Sequence, residues 1–181
     1  EQYFSNLIKG TVDSTGDITP RYALLKAEHF RAIKQRLESV GFDVKVIFLM
    51  RDPFERSWSH AKFMNQHEFF NENIYKNEGY IKRNNYKATI TELEKVFSPD
   101  QIYYGIYEEM FTKEKIIELS KFCGVPPVFS YASTNPNPSI VKMDPPIDMK
   151  QQVIECYAET YDFCAQRFPQ TKTLWNRIDK E

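Results

Sequence analysis

A chain of 181 residues, 41% hydrophobic and 27% charged, suits one soluble globular domain over 1–181 with a sizeable core. A formal net charge of −1 without a long basic run argues against nucleic acid as a partner, yet a few placed arginines still suffice for a small anionic ligand. Cys123, Cys156 and Cys164 are too scattered for a disulfide framework or a zinc knuckle. His29, His60 and His67 lack metal-ligand spacing, and no apolar run nears the ~18 residues that span a bilayer. Aromatics are high at 15%, and rings in such number mostly fill cores. The chain opens on Glu1 rather than Met, and its start reads as a boundary rather than a natural beginning.

Residues 11–17 read as a short strand or strand end, followed by the turn Gly16-Asp17-Ile18-Thr19-Pro20, where Pro20 drives Thr19 out of the helical region. Tyr22, Leu25, His29, Ile33 and Leu37 recur at three- and four-residue steps and predict an amphipathic helix over 21–39, with Gly41 placed for a left-handed cap. Residues 44–50 (VKVIFLM) are the clearest strand, apolar on both faces as in a covered sheet. Asp52-Pro53 is a helix-start signature, a side-chain acceptor followed by a preset φ, and predicts a helix from 53 to about 66.

Residues 66–84, rich in Asn and Glu with interspersed rings, read as a mobile surface segment rather than core. Tyr86, Ile90, Leu93 and Phe97 restore helical spacing, 102–107 (IYYGIY) is a second strand, and a helix through Ile116 and Cys123 stops at Gly124. Six prolines between 125 and 147 impose an extended loop. A last helix over 148–168 carries Val153, Tyr157, Tyr161, Cys164 and Phe168 on one stripe, and Trp175 and Ile178 are expected to tuck the tail onto the body. This alternation calls for an α/β fold with a parallel sheet and helices on both faces. Three strands are few for such a sheet, and a missing first βα unit would account for the shortage.

In open parallel sheets ligands sit at the carboxyl ends of the strands. Arg51 is the first residue off the 44–50 strand, and a helix starts right after it, bringing backbone N–H groups and a positive dipole end. Ser59 follows near the end of the second turn. Arginine, hydroxyl and helix start together make a site for a phosphate monoester, each charge-assisted bond being worth roughly 1.5–3 kcal/mol. The bland alternative is a solvated Arg51, a plain helix start and a neutral Ser59. Glu108 and Glu109, at the end of the second strand, read as capping or solvated groups, and His60 carries no role.

The run Arg51-Asp52-Pro-x-x-Arg56-x-x-Ser59 after an apolar strand resembles the 3′-phosphate motif of sulfotransferases that use PAPS, 3′-phosphoadenosine 5′-phosphosulfate. The likeness is to the bacterial and heparan-sulfate-type branch. Gly16-Asp17-Ile18-Thr19-Pro20-Arg21-Tyr22 is similar to that branch's Gly-Glu-x-Ser/Thr-Pro-x-Tyr segment. Tyr86 to Phe97, Tyr107-Glu108-Glu109-Met110 and Phe122-Cys123-Gly124-Val125 resemble its later motifs, in order. The resemblance implies a P-loop-kinase-like three-layer fold, apparently without its first βα unit. It implies sulfuryl transfer from PAPS to a hydroxyl or amine on a small molecule or glycan, without a metal.

Arg51 and Ser59 would hold the donor's 3′-phosphate, Thr19, Arg21 and Tyr22 would line the acceptor side, and 66–84 would be the acceptor lid. The branch's P-loop-like 5′-phosphosulfate loop and its general base are not seen here, and its Lys-Gly-Arg loop is absent, with residues 135–142 in that place. Catalytic residues are therefore expected upstream, on a segment this chain does not contain. The bacterial-type layout favours the cytoplasm, with the Golgi lumen as the alternative. Rival readings are a P-loop-type kinase and a non-catalytic interaction domain with a decayed nucleotide site.

Overall fold

The computed structural model describes residues 14–133 and 143–175. Strand β1, Val46–Met50, pairs in parallel with β2, Ile102–Ile106, in a two-stranded sheet whose register sets Val46 against Ile102 and Met50 against Ile106. The expected third strand does not form within the described residues: 14–17 have no regular structure, and 11–13 lie outside them.

The predicted helix over 21–39 is two elements. A 3-10 turn, Pro20–Leu24, ends with Leu25 N–H on the Tyr22 carbonyl, and α1, Ala27–Glu38, starts afresh after an extended Lys26. The break has a distant cause. Glu92 accepts from Ala27 N–H at 2.7 Å and serves as an outside cap for α1. Gly41 takes the left-handed conformation expected of it, at φ 92°.

Helix α2, Pro53–Phe63, opens on the Asp52 cap, whose carboxylate accepts from Phe54 N–H at 2.9 Å, with Pro53 supplying the first helical φ. It buries Phe54, Ser57, Trp58 and Ala61. The 66–84 stretch, read from sequence as surface, is instead keyed into the core. Short turns over His67–Glu72 and Ile74–Lys76 lead into α3, Glu78–Asn84, and Phe70 and Tyr75 are fully buried. Phe70 packs edge-on against Trp58, 5.2 Å between centroids, because two successive 3-10 turns redirect rings that have no helical period.

Helix α4, Tyr86–Glu94, and α5, Lys113–Cys123, follow, with Gly124 closing α5 at φ 72°. The predicted 148–168 helix is bent at Tyr157 into α6, Ile147–Cys156, and α7, Ala158–Arg167. Its stripe still faces inward: Val153, Tyr157, Tyr161 and Cys164 are buried. The Tyr157 hydroxyl donates to the Tyr75 carbonyl at 2.5 Å, which ties this bend to the 66–84 stretch. A short helix, α8, Thr171–Leu174, sets Trp175 into the core, while Ile178 lies outside the described residues, as do 134–142 of the proline-rich loop.

Two apolar clusters result. The larger joins α2, the 70–80 rings, α6, α7 and Trp175, and the smaller joins Phe30, Leu93, Phe97 and Ile102. All three cysteines are free, and burial pushes the Cys164 thiol up to about 12. Among the described residues no helix is long and apolar enough to cross a membrane, and no group of three His, Cys, Asp or Glu side chains is arranged to hold a metal ion.

Candidate functional site

The two strands end side by side, with Tyr107 N–H on the Met50 carbonyl at 2.8 Å. The next residue of each chain segment therefore meets the other at the sheet edge. Arg51 Cζ lies 4.8 Å from the centre of the Tyr107 ring, a cation–π contact. The Arg51 backbone is pinned by Tyr86, whose hydroxyl donates to its carbonyl at 2.7 Å. Burial pushes that hydroxyl's pKa far up, so Tyr86 stays a neutral donor.

From this anchor the Arg51 side chain meets the first turn of α2. Its Nη2 reaches Glu55 Oε2 at 3.3 Å, and the two side chains remain 29% and 40% exposed. Glu55 and Ser59 lie four residues apart on one side of α2, and Arg51 precedes the helix, just before its Asp52 cap. The Ser59 side chain is half-buried and makes no hydrogen bond to another described residue.

The helix start is less open than its position at the strand ends led us to expect. Phe54 N–H is taken by Asp52, and Asp52 N–H by Glu108 Oε1 at 2.9 Å. Asp52 is buried and also accepts from the Tyr161 hydroxyl. Burial raises its carboxyl pKa, the bonds from Tyr161 and Phe54 N–H oppose that, and the charges of Glu108 and Glu55 add to it. Two amides that an anion might have used are spent on internal carboxylates.

Glu108 is a capping group, as its strand-end position implied, and it also braces the tail: Oε2 accepts from Trp175 Nε1 at 3.0 Å. Thr19, Arg21 and Tyr22 sit elsewhere, on the Pro20–Leu24 turn. Tyr22 and Thr19 both donate to Asp17, at 2.5 and 3.3 Å, and the turn is held to α4 by Thr89 Oγ1 on the Ala23 carbonyl at 2.8 Å. Arg51 thus lies at the strand exit and Ser59 within the helix that follows it, while Thr19, Arg21 and Tyr22 lie on a separate exposed turn.

Sequence reasoning missed the polar framework under α2. Arg56 Nη1 donates to Asn84 Oδ1 at 3.2 Å, Asn84 Nδ2 to Ser57 Oγ at 2.9 Å, and Ser57 Oγ to Tyr157 Oη at 3.5 Å. Ser57 and Asn84 are fully buried. Glu55 was legible as an i,i+4 partner of Arg51, whereas Asn84, distant in the chain, gave no local signal.

A family model described as a sulfotransferase domain matches residues 21–137, a span that holds both strands, Arg51 and Ser59. No curated protein and no solved structure matches the chain. Since the match takes in more than half of its length, the chain belongs to the sulfotransferase domain family.

Proposed function

We propose that the chain serves a sulfotransferase that uses PAPS as donor and a hydroxyl or amine as acceptor, with Arg51 and Ser59 binding the donor's 3′-phosphate. The observation that carries the reading is the placement of the Arg51 guanidinium at the strand ends, 4.8 Å from the centre of the Tyr107 ring and 3.3 Å from Glu55 in the first turn of α2. Arg51 supplies the charge and a two-pronged donor, Ser59 a hydroxyl donor one turn beyond Glu55, and Tyr107 a platform that limits the guanidinium's freedom.

In sulfuryl transfer the bond from sulfur to the 5′-phosphate oxygen breaks, and its electron pair stays on the phosphate. A bond forms from sulfur to the acceptor atom, whose proton goes to a base. Arg51 and Ser59 act at the far end of the donor, fixing register rather than touching the sulfur. We further propose a P-loop-kinase-like frame, with the 5′-phosphosulfate loop and the base supplied from upstream. Thr19, Arg21 and Tyr22 border the acceptor, and the 66–84 stretch flanks it, anchored by Phe70 and Tyr75. A cytoplasmic location goes with this reading.

One observation favours a second reading, a non-catalytic domain with a decayed nucleotide site: Arg51 already has an acidic partner in Glu55. Calorimetric titration of 3′-phosphoadenosine 5′-phosphate against ADP separates the two. The sulfotransferase reading expects preference for the 3′-phosphorylated ligand, abolished in Arg51→Ala. Equal or absent binding of both ligands supports the decayed site.

A further inference from the structure

Arg56 and His60 stand one turn apart on the edge of α2 that meets α3, and Tyr80, Arg83 and Asn84 are their neighbours there. Arg56 bonds to Asn84 Oδ1 at 3.2 Å, and the His60 ring lies 5.0 Å from that of Tyr80. Burial first, then the charges of Arg83 and Arg56, hold the His60 pKa below its ordinary value, so both guanidiniums bear on the imidazole. All three side chains are half-buried.

Their partners are unlike those of the other cations on these helices. Arg51 has Glu55, and Lys82 has Glu78 at 2.6 Å. Arg56 is held by the neutral Asn84 amide, and Arg83 Nη1 by the Gly79 carbonyl at 2.9 Å. Among the described residues neither has a carboxylate within ion-pair reach. Asn84 is itself clamped by Ser57 and by Thr160, which donates to its carbonyl at 2.9 Å. Arg56, His60 and Arg83 are thus each held where α2 faces α3, over a fixed buried frame. Like charges gathered this way repel one another, and a bound oxyanion would relieve the repulsion while matching the guanidinium fork.

We propose that Arg56, His60 and Arg83 form a second oxyanion site, taking a carboxylate or sulfate ester carried by the acceptor. Glu55 and Ser59 lie about 100° around α2 from Arg56 and His60, so the two proposed anion sites use different sides of the helix. Assigning the anion to the acceptor rests on the sulfotransferase reading; the site itself does not.

The experiment is titration of the full chain with inorganic sulfate, followed by NMR, with and without saturating 3′-phosphoadenosine 5′-phosphate. Arg83→Ala is the main variant, because its side chain bonds only within its own helix turn, and His60→Gln is the second. Sulfate affinity should fall about tenfold in Arg83→Ala while the nucleotide's affinity stays within about twofold, and Arg51→Ala should do the reverse. Sulfate should also bind beside the nucleotide. Unchanged sulfate affinity in both Arg83→Ala and His60→Gln overturns the site. Displacement of sulfate by the nucleotide assigns the anion to the donor and overturns the acceptor claim. If the nucleotide fails to bind at all, the donor reading falls and takes the acceptor assignment with it, while the sulfate arm still decides the site.

Discussion

The Arg51 guanidinium and the Glu55 carboxylate meet at 3.3 Å across the first turn of α2, both partly open to solvent. An exposed i,i+4 pair of this kind contributes only about 0.3–0.5 kcal/mol to stability. On the proposed reading its larger effect is on ligand binding, since an incoming 3′-phosphate would share Arg51 with a resident carboxylate.

Glu55→Gln should therefore tighten binding of 3′-phosphoadenosine 5′-phosphate, by about two- to fivefold at low salt, with the gain shrinking as salt screens the repulsion. Arg51→Ala should weaken it about ten- to hundredfold, the loss of a charge-assisted contact. Calorimetry at two ionic strengths reads both. Weaker binding in Glu55→Gln would mean that Glu55 positions Arg51 instead of competing for it.

Asp52 combines a cap with a buried charge. Asp52→Ala should cost about 1–2 kcal/mol in urea unfolding, the usual loss of a capping acceptor. Asp52→Asn should cost less, because its amide oxygen can still accept from Phe54 N–H and no charge is buried. The native carboxyl takes up its proton at higher pH than the unfolded one, whose ordinary value is 3.8. Wild-type stability should thus gain from this group as pH falls through the raised value toward 3.8, a gain the Asn variant lacks.

The sequence made local features plain. Strand β1 was continuous in apolar residues, Asp52-Pro53 announced α2, and Gly41 and Gly124 marked left-handed caps. What it hid depends on partners far along the chain. The restart of α1 needs Glu92, the bend at Tyr157 is tied to Tyr75, and the rings of 66–84 enter the core through turns that follow no helical period. At the site, the placement of Arg51 just off β1 and of Ser59 within the helix that follows was readable in the sequence. The commitment of the helix-start amides to Asp52 and Glu108 was not, because Glu108 lies on another strand's exit.

Asn84→Ala tests the buried frame under α2. It leaves Arg56 without its acceptor and Ser57 without its donor, so a loss of about 1–3 kcal/mol is expected in urea unfolding. Ser57→Ala should cost less, because only a small hydroxyl is removed. A loss for Asn84→Ala below that of Ser57→Ala would show that the frame is not held through the amide.

His60 carries the opposite pH signature from Asp52. The Tyr80 ring and the Arg83 charge face it from α3 and Arg56 from its own helix, and its native pKa is depressed below the ordinary 6.5. The unfolded chain takes up the proton first, so stability should fall as pH drops from 6.5 through the depressed value. His60→Gln should flatten that fall. In Arg83→Ala the imidazole's NMR titration should move upward, with one cation removed from beside it.

Glu108 joins two places that the chain visits far apart, the Asp52 amide at the strand exit and the indole of Trp175. Tyr161 reaches the same Asp52 from α7. Both aromatic residues lie beyond the 21–137 span that defines family membership. The matched segment is consequently not an autonomous module: cut at its own border, it would lose the struts that hold Asp52 and Glu108 next to Arg51, so on the proposed reading carboxy-terminal shortening ought to abolish nucleotide capture as surely as altering Arg51.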